Sequence, residues 1–285
     1  SLRVTLRTPG DNDFFSMGDK AARLAVAGRI GDIDLFGAYA WRKRGNYFSG
    51  ENGAGYYSQD DLEQSAATYI QRMALSYEPG NEVPNTSSET KSWLFKGTWH
   101  IADDQYLQIG FRDSKSDYGE IMPSRILSAD DFGAIQWPLS RVHAQAYNAE
   151  YKWQPESRWI DLKANLWATR TASHTYSAGG FPNFASFDDP ILRNTAIANS
   201  QNNRIGFSAS NQMKLSSRLN LLLEGNWQHE KLRSQDEWNG VFDGWRQYPR
   251  AGRREEYRIS LKSEWRPASF LKFNAGLTYS GYWAV

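Results

Sequence analysis

Between Glu255 and Ser280 every second residue is apolar. Tyr257, Ile259, Leu261 and Trp265 make one set, and Leu271, Phe273, Ala275, Leu277 and Tyr279 the next. Between them fall Glu256, Arg258, Ser260, Lys262 and Glu264, then Lys272, Asn274, Thr278 and Ser280. A period of two is the mark of a β-strand with two unlike faces. The same alternation recurs upstream. Leu24, Val26 and Ile30 oppose Arg23 and Arg29; Ile33, Leu35, Tyr39 and Trp41 oppose Asp34 and Arg42. Trp93, Phe95 and Trp99 oppose Lys96, Thr98 and His100, and Leu107, Ile109 and Phe111 oppose Gln108 and Arg112. Tyr147 to Trp153, Ile160 to Leu166, Ile205 to Met213 and Leu219 to Trp227 repeat it, and Leu2, Val4 and Leu6 start the series. The pattern predicts eleven strands, most of them ten to fourteen residues long.

Their connections alternate as well. Short turns are expected at Gly31-Asp32, Ala102-Asp103-Asp104, Pro155-Glu156-Ser157, Ser216-Ser217 and Pro267-Ala268-Ser269. Long polar loops are expected near 9–20, 44–88, 117–139, 174–202 and 232–253. An antiparallel meander then has all its short turns at one end and all its long loops at the other. Outer-membrane barrels have this asymmetry, with short turns on the periplasmic side and long loops outside. Trp153, Trp159, Trp265 and Phe270 flank the short turns, and Trp227 and Tyr257 lie toward the loops. From Tyr257 to Trp265 is roughly 26 Å of strand at about 3.3 Å per residue. A tilt of about 40° leaves roughly 20 Å of height, close to the apolar band of such barrels.

Composition supports this class. The aromatic share is 14%, with 12 Trp and 15 Tyr, as girdles at two membrane interfaces require. Lys plus Arg (33) balances Asp plus Glu (32), which gives no reason to expect a nucleic-acid partner. The absence of cysteine excludes disulfides and thiolate metal sites. No apolar run approaches the roughly 18 residues of a membrane helix. The chain opens on Ser1 and ends inside an apparent strand at Trp283-Ala284-Val285, which predicts a mature or excised piece. Eleven is odd, whereas bacterial single-chain barrels have even strand numbers, and an open sheet leaves unpaired backbone in lipid. The inner faces are also too charged for a small packed barrel. Residues 1–285 are therefore expected to be one part of a wider barrel with a polar lumen.

Three stretches carry a family resemblance: "GDIDLFGAYAWRKRGNYFSGENG" at 31–53, "LFKGTWHIADDQYLQIGF" at 94–111 and "AEYKWQPESRWIDLKANLWATRT" at 149–171. They resemble barrel hairpins of the TonB-dependent outer-membrane receptors, in the haem, haemoglobin and haemophore branch. The resemblance implies an all-β antiparallel transmembrane β-barrel of 22 strands, of which residues 1–285 are about the first eleven. It implies an N-terminal plug before Ser1 and a second half-barrel after Val285. It further implies an outer-membrane importer of haem iron, driven by a TonB-type energy-coupling complex acting through the plug. Haem, or a ferric chelate, would be the transported ligand, with no permanently bound cofactor. Haem or a haem-carrier protein and the lipopolysaccharide and lipid of the membrane would be its partners. The Phe-Arg-Ala-Pro and Asn-Pro-Asn-Leu boxes of the haem branch do not occur in these residues, so a ferric-siderophore receptor is the alternative. A soluble β-rich carbohydrate-binding module is the reading outside transport.

No nucleophile elbow and no glycine-rich phosphate loop occurs, and the chain is not expected to be an enzyme. His100 shares the inner parity and is expected to bond to the plug. His143 and His229 share the parity of the lipid-facing residues. His174 and Tyr176, read as members of an outer loop, are the candidate contacts for haem iron or its carrier. Tyr56, Tyr57 and Trp245 are the candidate binding aromatics, among the dense loop aromatics Tyr47, Phe48, Trp238, Phe242 and Tyr248. Arg246, Arg250, Arg253 and Arg254 are candidates for lipopolysaccharide phosphates. Asp60-Asp61 and Asp130-Asp131 are read as solvated loop acids or surface cation sites.

Overall fold

A computed structural model describes residues 2–7, 19–48, 50, 80, 82–119, 139–176, 197–234 and 251–285. The strands are β1 (Leu2–Arg7), β2 (Lys20–Ile30), β3 (Ile33–Arg44), β4 (Ser88–Ala102), β5 (Gln105–Tyr118) and β6 (Ser140–Trp153). They continue with β7 (Leu162–Tyr176), β8 (Ile197–Ser216), β9 (Leu219–Ser234), β10 (Gly252–Ala268) and β11 (Leu271–Ala284). They form one antiparallel sheet in sequence order, β1 to β11, so each strand pairs only with its chain neighbours. This is the all-β meander the alternation predicts.

The short turns lie within a residue or two of where the sequence places them: Ala102 ends β4 and Ser216 ends β8, which leaves turns at Asp103–Asp104 and Ser217–Arg218. Pro267 and Ala268 belong to β10, and the turn is Ser269–Phe270. The ladder shifts register between Trp265 and Ala268, and such a bulge is where a strand tolerates proline. The link from β6 to β7 is longer than a turn, because β7 begins at Leu162 rather than Ile160. Its backbone is not loose: Gln154 N–H donates to Asp104 O (2.9 Å) and Lys214 N–H to Arg158 O (2.6 Å). At Gly31 the chain takes a φ of +57°, which glycine adopts without strain in a two-residue hairpin.

The strands also run further than alternation alone suggests. β8 has 20 residues, β10 has 17 and β9 has 16. Polar strand beyond the apolar band carries no period-two signal, so its sequence reads as loop.

The two faces are set by register. Directly opposed residues share a face, so Tyr39 meets Trp93, Phe95 meets Phe111, and Phe111 meets Tyr147. Their rings form a continuous ridge, with centroids 4.4 Å apart for Tyr39–Trp93, 6.4 Å for Phe95–Phe111 and 4.9 Å for Phe111–Tyr147. Tyr257 and Tyr279 (5.8 Å) and Trp265 and Phe273 (5.6 Å) form separate pairs at two heights on β10 and β11. Among the described residues only Ala25 and Val83 are buried hydrophobics, while Leu277 is 76% and Ile109 58% exposed. A sheet that displays its apolar face and buries almost none of it has lipid, not protein, as the natural cover for that face.

Candidate functional site

The opposite face is polar and lines the inside of the wall. Cross-strand hydroxyl pairs run along it: Thr90 with Ser116 (3.1 Å), Ser92 with Ser114 (3.0 Å) and Ser173 with Ser200 (2.6 Å). Tyr106 O–H donates to Glu150 (2.6 Å). On β8 to β11 cations and carboxylates alternate. The Arg204 guanidinium meets Glu230 (2.8 Å), Lys262 meets Glu224 (2.5 Å), and Arg266 (2.9 Å) and Lys272 (2.6 Å) share Glu264. Arg254 pairs with Glu256. Asn202 adds its amide N–H to Glu230 (2.7 Å).

On β1 to β4 the arrangement differs. Arg3, Arg23 and Arg42 line a cavity of about 530 Å³ together with Thr5, Thr90 and Ser92. None of the three forms an ion pair among the described residues. Nearer the short turn the wall is acidic as well as basic. Asp34 lies 3.7 Å from Arg29 and accepts from His100 Nε2 at 2.8 Å. Among the described residues the partner of His100 is Asp34 on the adjacent strand.

At the outer end the base of the link between β3 and β4 is tied. The Asn46 side-chain oxygen accepts from the backbone N–H of Thr86 (3.0 Å) and Ser87 (2.8 Å). Val83 N–H donates to Tyr47 O (2.8 Å), and Asn85 takes a left-handed φ of +64°, which asparagine tolerates. Tyr47 and Phe48 are exposed on this neck.

The candidate residues separate. His174 is in β7, not in a loop, opposite Arg141 on β6 and Asn199 on β8. It shares the face of Leu166 and Tyr147, outside the barrel wall, and its Nδ1 contacts the Asn199 side-chain oxygen. Tyr176 ends β7, paired with Ile197. Tyr56, Tyr57 and Trp245 lie outside the described residues, as do Trp238, Phe242, Tyr248, Asp60-Asp61 and Asp130-Asp131. His143 and His229 face outward as predicted, against Asp113 (2.6 Å) and Glu255 (3.1 Å). The four arginines read as one cluster divide. Arg246 and Arg250 lie outside the described residues, and Arg253 and Arg254, being consecutive, point to opposite faces. Sequence reasoning missed what stands beside Arg253 on the outer face: Lys231 directly opposite it, and Arg233 two positions further along β9. Among the described residues no group of three or more His, Asp or Glu side chains is placed to hold a metal.

No family model matches the sequence. Solved structures share the sheet. The FrpB iron transporter of Neisseria meningitidis matches 93% of this chain and 38% of its own, at 14% identity and a TM-score of 0.64. The hemophore receptor HasR of Serratia marcescens, in complex with its hemophore HasA and heme, matches 99% of this chain and 33% of its own, at 16% identity and a TM-score of 0.59. The ferric enterobactin receptor of Pseudomonas aeruginosa matches 99% and 39%, at 12% and 0.61. These likenesses show the fold: the sheet is a wall segment of the kind of β-barrel that these outer-membrane receptors and transporters share. A nearer relation appears in sequence. Over 98% of its length the chain is 47% identical to the Hemophilin receptor of Acinetobacter baumannii, of which it spans 27%.

Proposed function

We infer that these residues form part of the barrel of an outer-membrane receptor that imports haem iron, captured from a haem-carrier protein outside the cell. The observation that carries the reading is the 47% identity to a hemophilin receptor across nearly the whole chain. The fold shared with a receptor bound to its hemophore and heme supports it. Transport is receptor work rather than catalysis: capture at the outer end, then movement of a plug driven by a TonB-type complex in the inner membrane. Tyr56, Tyr57 and Trp245, with His174 and Tyr176, are the capture contacts. His174, on the outward face beside Asn199, touches the carrier rather than the iron.

The outer wall supports a lipopolysaccharide partner. Lys231 and Arg253 are directly opposed, four positions beyond the Trp227–Tyr257 pair at the edge of the apolar band. Like charges facing each other across a ladder are destabilising unless an anion sits between them. Phosphates of the outer leaflet are anions at that height, and guanidinium and ammonium donors bind them by charge-assisted hydrogen bonds.

Full-length receptor titrated with haem should develop a haem absorbance band, and cells that depend on it should grow with haem as sole iron source. Absence of both, with growth on a ferric siderophore instead, would replace this reading with the siderophore alternative.

A further inference from the structure

The three arginines on β1 to β3 are set apart by what opposes them. In the ladder Arg3 faces Ala25, Arg23 faces Ala40 and Arg42 faces Ala21. On their other sides Arg23 meets Thr5 and Arg42 meets Thr90. Alanines beside each guanidinium leave its fork uncovered, and all three arginines are exposed. Asp19, just before β2, accepts from the Gly45 backbone N–H (3.1 Å) and pairs with no arginine among the described residues.

Uncompensated like charges gathered on one wall repel each other. The cavity they line, about 530 Å³, is edged among the described residues by hydroxyls, methyl groups and Trp41 rather than by carboxylates. It is also high in the barrel. Arg23 stands eight positions above Gly31, roughly 20 Å above the short turn at about 3.3 Å per residue and a tilt of about 40°. A ligand descending from the outer end reaches this wall in its upper half. Guanidinium binds carboxylate through two parallel hydrogen bonds, and several guanidiniums side by side suit a ligand with more than one carboxylate.

The geometry points to a carboxylate-binding station at Arg3, Arg23 and Arg42 that receives the paired propionates of haem on its way through the lumen. The assignment rests on the haem reading above. It gives the inner wall a role of its own: orienting the porphyrin by its acidic edge and leaving the iron face to other parts of the receptor.

The test uses full-length receptor in detergent, with haem and haem dimethyl ester as probes, read by absorbance and by quenching of tryptophan fluorescence. The ester has the same ring and iron without the two negative charges. Wild type should bind haem about tenfold or more tighter than the ester, the size expected for charge-assisted pairs. The double variant Arg23→Gln/Arg42→Gln should lose that preference while binding the ester as wild type does. Arg23→Lys/Arg42→Lys should recover part of it. Heat-modifiable migration in gels verifies that each variant is folded. A double variant that keeps the full preference overturns the station and leaves the haem reading standing. A variant whose affinity for haem and ester falls equally, with loss of protease resistance before ligand is added, overturns it in favour of arginines that anchor an acidic segment of the plug. Wild-type receptor that binds neither probe overturns the haem reading itself.

Discussion

Two stretches of the same inner wall follow opposite electrostatic plans. On β8 to β11 the wall supplies its own counter-charges: Arg204 has Glu230, Lys262 has Glu224, and Arg266 and Lys272 have Glu264. Arg258 and Lys214 are the exceptions there among the described residues, Arg258 with Asn226 and Ser280 opposite and Lys214 with Asn220. On β1 to β4 the upper arginines face alanine and threonine. Both stretches are rich in charge, and both belong to one continuous sheet with one continuous apolar exterior. What separates them is register. A cation opposite a carboxylate is satisfied within the wall, whereas a cation opposite a methyl group is left for a partner that arrives.

The comparison holds only if the two stretches share their outer face. Val26→Arg on β2 and Leu261→Arg on β10 should therefore each cost roughly 2–4 kcal/mol near the bilayer midplane, while Lys262→Ala should cost much less. Refolding titrations of full-length receptor into lipid vesicles measure this. Equal costs at Leu261 and Lys262 would remove the distinction between a lipid side and a lumen side.

A smaller effect separates the inner walls. Glu230→Ala leaves Arg204 without its counter-charge and should destabilise by up to about 1 kcal/mol, as for a partly exposed ion pair. Arg23→Gln removes no ion pair among the described residues and should leave stability unchanged or slightly raised. Denaturant unfolding of the two variants side by side sharpens the contrast, and an equal loss in both would mean that Arg23 already has a structural partner.

The smallest effect belongs to the outer rim. Lys231→Gln/Arg253→Gln should weaken binding of purified lipopolysaccharide by a few-fold. The loss should disappear when dephosphorylated lipid is used, because the charges answer to phosphate. Increasing salt should erode the wild-type advantage in the same direction.

Much of this was legible in sequence. Alternation at Tyr257 to Trp265 and Leu271 to Tyr279 identified both strands and both faces, because lipid on one side and water on the other impose period two without interruption. It failed where that contrast ends. His174 and Tyr176 read as loop, yet they continue β7 above the membrane, where both faces are wet and polar residues carry no periodic signal. Pro267 read as a turn residue because a bulge that admits proline into a strand leaves no trace in composition. Arg3 and Arg23 were recognisable as inner-face charges, and so was Lys262. Only the pairing of strands distinguishes the arginines that face alanine from the lysine that meets Glu224, since register joins residues far apart in the chain.

The length of β8 has a mechanical consequence. Ile197 stands ten positions beyond Phe207, which lies beside Trp227 at the edge of the apolar band. At about 3.3 Å per residue and a tilt of about 40°, that is roughly 25 Å of paired strand above the lipid. Backbone hydrogen bonds to β7 persist to Ile197 itself, opposite Tyr176. Along β7 and β8 the wall is thus a stiff rim raised clear of the apolar band. A large visitor meets a rim whose backbone is already ordered, so little of the contact energy is spent on freezing chain motion. Its footprint also lies above the crowded headgroups, where a bulky protein could not otherwise come close.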